Sequence, residues 1–389
     1  MMQQDSTIYL DNNAATAMAP ECVEPVFDCL CRHYGNPSSK HGAGAAAKER
    51  VGQARASVAR MLNAAPAEIV FTSNGTEANH LAILGALAAS PGKSHIVVSA
   101  VEHPSTLRLL SHFETEGVRV TYLPVGREGE LDLAALESAI TPDTALVSLM
   151  WANNETGVLF PVTEAACIAK AKGALFHSDA VQAAGKAAID LAQVPTDLLS
   201  ISGHKFHAPK GVGALFVRKG LKLPPMLFGH QERNRRGGTE NVPGIVGMGV
   251  ACDLAASELD AKAAAMAALR DRFEAAVLAR FPFASINGGT MPRVANTSSV
   301  RFGQLEAEAI IDKLDRAGIH VSSGAACTAG GSAPSHVLTA MGQSEVQARA
   351  TIRFSLSRYT GESEIDRTLD TLASIVKHLT ANPMTDMAA

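Results

Sequence analysis

The sequence predicts an α/β protein in which a large domain on a mostly parallel sheet is followed by a smaller α/β domain. Three observations carry this. Short apolar runs alternate with helical patterns from residue 40 to 217, a second alternation runs from 296 to 380, and a long Ala-rich helical stretch around 245–280 joins them. The division expected is a large domain over 14–255 and a small one formed by 1–13 together with 256–389.

In chain order, Val51, Ala54, Val58, Met61 and Leu62 recur along one helical face, and IVFT (69–72) then reads as a strand. The step repeats as a helix from Thr76, strand 95–99, a helix after His103, strand 118–123, helix 132–140, strand 145–150, helix 162–172 and strand 174–177. Short apolar strands separated by helices require crossovers, hence parallel pairing with both faces covered. Two further strands, 197–202 and 211–217, are separated only by a lysine-bearing loop. The smaller domain reads as strand 296–302, helix 305–316, strand 319–322, helix 344–349, strand 351–356 and helix 362–380, with NPMTDMAA as a frayed tail.

A chain of 389 residues, 47% of them hydrophobic, can bury two sizeable cores. Its net charge of −4 comes from 34 basic and 38 acidic residues interspersed along the chain, so no patch for nucleic acid or an anionic membrane is expected. No apolar run approaches the roughly 20 residues of a membrane span, and MMQQDSTIYLDNNAAT lacks the regions of a secretory signal. The expected location is the cytoplasm. Six cysteines (Cys22, Cys29, Cys31, Cys167, Cys252, Cys327) are too sparse for a disulfide framework. Cys29 and Cys31 with His33 lack a second ligand pair at zinc spacing, so no metal site is expected.

In open α/β sheets, ligands bind beyond the carboxyl ends of the strands, and here those positions are polar. SNGTEAN follows IVFT and puts Gly75 and Thr76 at a helix start, where free N–H groups and the dipole favour a phosphate, although ordinary capping accounts for them as well. AVEHPS follows HIVVS with His103, WANNETG follows ALVSLM with Asn153 and Asn154, and SDAVQ follows ALFH with Asp179 and Gln182. Any one of these alone reads as a satisfied cap or turn. A fifth strand ends in SGHKFHAPKG, supplying Ser202, His204 and Lys205. A loop lysine is ordinarily a solvated charge, whereas behind LLSIS Lys205 can be desolvated, which lowers its pKa and suits it to covalent chemistry with a carbonyl.

From Ile8 to about Val376, the motifs LDNNAAT, FTSNGTEAN, EHPS, NNETG, DAVQ, SGHKFHAPKGVGALFV, GHQERNRRGGTENVPG, SSGAACTAG, PSHVL and RFSLSRYT stand in the order in which the cysteine desulfurases carry them. The chain resembles that family, closest to its nitrogen-fixation (NifS) type, within the aspartate-aminotransferase-like pyridoxal-phosphate enzymes of fold type I. The resemblance implies pyridoxal 5′-phosphate as cofactor, L-cysteine as substrate, and a homodimer with shared sites. Lys205 would hold the cofactor, and Asp179 would keep its pyridine nitrogen protonated so that the ring draws electrons from Cα. Gln182 and Asn154 would meet the ring hydroxyl and His103 would stack on the ring and shuttle protons. Gly75, Thr76, Ser202 and His204 would hold the phosphate, joined by Thr239 of a second subunit. Arg353 would clamp the substrate carboxylate with its bidentate fork, with Asn13 and Asn36 as weaker candidates for the same pocket. Without the resemblance, Arg353 reads as a strand-edge salt bridge.

Cys327 lies in SSGAACTAGGSAPS, small residues with little bulk to anchor them, a composition that predicts mobility. In a desulfurase such a thiolate takes the substrate sulfur as a persulfide, leaves alanine, and passes the sulfur to an acceptor or iron–sulfur scaffold protein, serving cluster assembly in general or nitrogenase maturation in particular. Alone, Cys327 reads as an inconsequential loop cysteine. Ala325 stands where serine is frequent in the family and GGSAPS replaces a form like ASLEPS, which leaves the acceptor open. A selenocysteine lyase or an aminotransferase on the same scaffold is the alternative, since fold does not separate them.

Overall fold

The computed structural model describes residues 7–324 and 333–381 and carries the predicted alternation. The chain runs β1 (Ile8–Tyr9), α1 (Pro20–Cys31), α2 (Gly42–Met61), β2 (Ile69–Thr72), α3 (Gly75–Ala89), β3 (His95–Ser99), α4 (Pro104–Thr115) and β4 (Arg119–Leu123). It continues with α5 (Leu133–Ala139), β5 (Thr144–Met150), α6 (Val162–Ala171), β6 (Leu175–Asp179), β7 (Leu198–Ser202) and β8 (Gly213–Val217). After α7 (Val242–Arg280) come β9 (Ala284–Ile286), β10 (Thr297–Phe302), α8 (Ala307–Arg316), β11 (Ile319–His320), α9 (His336–Ala340), α10 (Glu345–Arg349), β12 (Thr351–Ser355) and α11 (Glu362–Ala381).

Seven strands form one sheet in the order β2-β8-β7-β6-β5-β3-β4. Strands β4, β3, β5, β6 and β7 are parallel, whereas β8 is antiparallel to both neighbours because only a short loop returns it from β7. That loop carries Lys205. Alternate residues face two different cores: Val97, Phe176 and Leu199 pack on one side, and Ile96, Leu198 and Leu215 pack on the other with α3. Both faces are therefore closed, and the strand ends are left as the place where polar groups gather.

A third core gathers the C-terminal elements and the first strand, with Ile8, Phe273, Val300, Phe354 and Leu369 among its members. β1 pairs in parallel with β11, so the N-terminal residues join this cluster, while β12, β10 and β9 form an antiparallel sheet. The boundary expected near 255 falls inside α7, a 39-residue helix that contributes Met248 and Cys252 to one core and Phe273 and Val277 to another. By length and composition α7 is long and apolar enough to cross a membrane, unlike the sequence expectation, but 56% of its apolar window is buried inside the molecule. Its packing against α1 and α2 accounts for that apolarity.

The sequence pattern did not anticipate α1, β9 or α9. In α1 the buried residues are Cys22 and Cys29, while Val23, Phe27 and Leu30 are 50%, 61% and 61% exposed, and Pro25 lies inside the helix. The stripe Val23, Phe27 and Leu30 thus recurs at helical spacing but points away from the core.

Candidate active site

The carboxyl ends of β5, β6 and β7 and the N-termini of α3 and α4 surround a cavity of about 300 Å³. It is lined by Asn13, Gly75, Thr76, His103, Asn154, Asp179, Gln182, Ser202, His204, Lys205 and Arg353. Sequence reasoning had placed each of these at the site.

On the floor, Asp179 ends β6 with its carboxylate held from two sides. Oδ2 accepts from Asn79 Nδ2 (2.7 Å) and Oδ1 from the Val181 backbone N–H (3.0 Å). Asn79 lies on α3, one turn after Gly75, so the helix that opens at the cavity also aims the carboxylate. At Gly75 an added Cβ would come 2.8 Å from Val181 Cγ2 and 3.4 Å from Ser202 Cβ. Only glycine lets the α3 N-terminus press against the end of β7, which places its free N–H groups beside Ser202 Oγ and His204 Nδ1, themselves 3.0 Å apart. Burial, helped by Lys205, Lys210 and Lys186, pushes the His204 pKa down to about 4. The ring is therefore a neutral hydrogen-bonding group at neutral pH.

His103 caps α4. Its Nδ1 accepts the Ser105 backbone N–H (3.1 Å), which leaves the ring proton on Nε2. Burial lowers its pKa; Asp179 pulls the other way, and Lys205 and His336 add to the fall. Lys205 Nζ donates to the carbonyl oxygens of Asn13 (2.7 Å) and Ala14 (2.9 Å).

The opposite wall is knotted around Asn13. Its backbone N–H donates to Ser355 Oγ (2.9 Å), its Nδ2 to Thr297 Oγ1 (2.8 Å) and the Asn154 carbonyl (3.2 Å), and its Oδ1 accepts from Lys186 Nζ (3.0 Å) and Asn296 Nδ2 (3.1 Å). Arg353 donates from Nη1 to the Asn154 carbonyl (3.0 Å) and from Nη2 to Asp11 Oδ1 (2.7 Å). Its Nε is buried without a partner among the described residues. The salt bridge of the plainer reading thus exists, and it orients a guanidinium whose Nη1 and Nη2 each carry a second N–H.

Two expected residues stand elsewhere. Asn36 is exposed, its Oδ1 accepting from Ser38 N–H (2.9 Å), and it does not line the cavity. A polar residue in a Gly-Asn-Pro turn serves the turn itself. Thr239 lines a separate cavity of about 90 Å³ with Glu232 and Arg236. Cys327 lies outside the described residues, but Gly324, three residues earlier, lines the main cavity.

Sequence reasoning missed Asp11, Asn79, Glu155, Lys186 and Asn296. Glu155 is buried where Ser335 Oγ donates to its Oε2 (2.5 Å), and an added Cβ on Gly324 would come 3.1 Å from the same oxygen. Burial raises its pKa against the lowering effects of Ser335, His336 and Arg353. Asp11, Asn79 and Glu155 lie inside motifs already noted, so the signal was present for them. No group of three or more His, Cys, Asp and Glu able to hold a metal occurs among the described residues.

Residues 8–368 match the family described as Aminotransferase class-V. The cysteine desulfurase of Trichormus azollae is 49% identical over 377 residues, which covers 97% of this chain and 94% of that one. The cysteine desulfurase NifS of Azotobacter vinelandii is 46% identical over 374 residues, covering 96% and 93%. A solved structure of a NifS-like protein superposes with a TM-score of 0.89 at 36% identity, covering 96% of this chain and 100% of that one. The chain therefore belongs to the class-V aminotransferases and, among them, to the NifS-like cysteine desulfurases, which are pyridoxal-phosphate enzymes.

Proposed function

We propose that this chain converts L-cysteine to L-alanine and takes the sulfur onto Cys327, with pyridoxal phosphate in the main cavity. The observation that carries this is the cavity itself, where Lys205, Asp179, His103 and Arg353 converge and whose wall includes Gly324. Three residues of chain reach no more than about 11 Å, so the tether to Cys327 starts at the reaction site.

The residues fit the cofactor. The α3 N-terminus, cleared by Gly75, with Ser202 and His204, suits the phosphate; Asp179 suits a protonated ring nitrogen; Gln182 and Asn154 suit the ring hydroxyl. When bound, the cofactor draws electron density away from Cα. Arg353 holds the substrate carboxylate and so fixes which face of the substrate meets Lys205. Lys205 would hold the cofactor, and its free amine would remove the Cα proton. Cys327 thiolate attacks the substrate Sγ; an S–S bond forms, the Cβ–Sγ bond breaks with its electron pair left on Cβ, and a proton taken up at Cβ together with the proton returned to Cα by Lys205 gives alanine. No outside oxidant is needed, because the two electrons lost as sulfur becomes persulfide are taken up by Cβ.

The working unit is a homodimer, in which Thr239 reaches a second subunit's phosphate. Supporting this are Phe228, 86% exposed in the same segment as Thr239, and the exposed apolar stripe of α1. Sedimentation as a dimer checks it. The sulfur then passes to an acceptor or iron–sulfur scaffold protein in the cytoplasm.

The test is Cys327→Ala. Cofactor binding, carboxylate binding and proton removal do not use Cys327. The variant is expected to stay yellow and change its visible spectrum with L-cysteine, yet to lose alanine and sulfide release by more than the roughly 10²- to 10⁴-fold typical of one acid–base group. Release near the parent rate would favour direct elimination of the kind a selenocysteine lyase performs.

A further inference from the structure

Behind the cavity lies a second lysine that the chemistry above does not use. Lys186 is 7% exposed, and its Nζ donates to Gln182 Oε1 (2.7 Å) and to Asn13 Oδ1 (3.0 Å). Burial, with Lys205 and Arg353 nearby, pushes its pKa well below the ordinary lysine range. In either protonation state the amine has an N–H donor for each of those two acceptors. Burying an amine is costly unless it is hydrogen-bonded, so these two bonds are what the position is built around.

The consequence falls on Gln182. Its carbonyl oxygen is engaged by Lys186, and one N–H of its amide goes to the Asn13 carbonyl (3.0 Å). The second N–H is the end left to face the cavity, which Gln182 lines. Rotating the amide by half a turn would set its NH₂ against Lys186 and its oxygen against the Asn13 carbonyl, two opposed pairs. We propose that Lys186 is a positioning residue that locks the Gln182 amide in the rotation presenting N–H, not oxygen, to the ring hydroxyl of the cofactor. This rests on the reading that pyridoxal phosphate occupies the cavity with that hydroxyl toward Gln182. An N–H donor stabilises the ionised ring oxygen, so the lock favours the ionised form.

The test is the visible absorbance of the holoenzyme as a function of pH, in four proteins: wild type, Lys186→Met, Gln182→Leu and the double variant. Lys186→Met is expected to raise the titration midpoint by about one pH unit, the effect of one hydrogen bond to a charged oxygen. In the Gln182→Leu background the same substitution is expected to move the midpoint no further, because the lock has nothing to hold. An equal shift in both backgrounds, or none in either, overturns the proposal. Should Lys186→Met not fold, Lys186→Gln keeps a polar group in the core but stops short of Gln182, and the same rise is expected; an unchanged midpoint there overturns it equally. A wild-type chain with no visible band overturns the cofactor reading and the proposal with it, whereas a titrating band indifferent to Lys186 overturns the proposal alone.

Discussion

On the floor of the cavity, Asp179 and Ser202 end adjacent strands of one sheet and Lys205 follows three residues later, whereas the wall around Arg353 joins segments as far apart as Asp11 and Arg353, 342 residues in sequence. The floor is placed by backbone ladders, so each of its side chains inherits its position from the sheet. The wall takes Arg353 and Ser355 from β12 and Thr297 from β10, and joins them to the N-terminal segment through side chains bonded to side chains and carbonyls, with Asn13 as the shared partner. Floor residues should therefore fail one at a time and in the chemical step. Wall residues should fail together and in substrate binding.

The largest expected effect that sharpens this contrast is on the floor. Asp179→Asn keeps an acceptor oxygen for the Val181 N–H and turns its NH₂ to Asn79, whose amide must flip to offer its Oδ1, but removes the charge, and kcat is expected to fall by roughly 10²- to 10³-fold, as for other losses of a preorganised electrostatic partner, with KM for L-cysteine little changed. Steady-state alanine production checks it, and a change confined to KM would put Asp179 on the binding side of the comparison.

On the wall, Arg353→Lys loses the fork that bonds Asn154 and Asp11 together. A rise in KM of roughly 10- to 100-fold is expected from losing one hydrogen bond to a charged carboxylate, with a smaller change in kcat. Equal losses in both would blur the division between floor and wall.

The smallest effect concerns Glu102, which precedes His103 and is wholly buried. Its Oε1 accepts from Ser99 Oγ (2.6 Å) and Met150 N–H (2.9 Å), its Oε2 has no partner among the described residues, and burial raises its pKa to about 8 from an ordinary 4.5. The folded chain thus holds a proton that the unfolded chain releases above pH 4.5. Stability from this group is complete below pH 4.5 and is lost as pH rises toward 8. Glu102→Gln is expected to gain in thermal midpoint relative to the parent as pH goes from 5 to 8; a difference that stays constant over that range would mean the carboxyl is ionised in the fold.

The floor was legible in the sequence because its residues end an apolar strand or follow one within a few residues: Asp179 at the end of LFHSD, His103 after HIVVS, Lys205 after LLSIS. The wall was only half legible. Arg353 stood out for its motif, but Lys186 in AAGKAAID looks like any solvated charge, and nothing local announces that it is buried against Asn13 and Gln182. Asn296 is hidden in the same way, through bonds to Asn13 and the Leu356 carbonyl (3.0 Å). Asn36 illustrates the reverse ambiguity, since a turn and a binding pocket favour the same polar side chain, and in this chain it bonds within its own turn. At the level of the fold, α1 escaped although Val23, Phe27 and Leu30 recur at helical spacing, and α7 runs without a break through the point near 255 where the sequence suggested a division.

The presence of two buried or half-buried lysines near one cavity makes the attachment point the most direct test. Borohydride reduction of the holoenzyme, followed by peptide mapping, is expected to find the pyridoxyl group on Lys205, the lysine of the strand-end loop between β7 and β8. A label on Lys186, or on any other lysine, would contradict the assignment of Lys205 and with it the placing of Asp179, His103 and Arg353 around the reacting carbon.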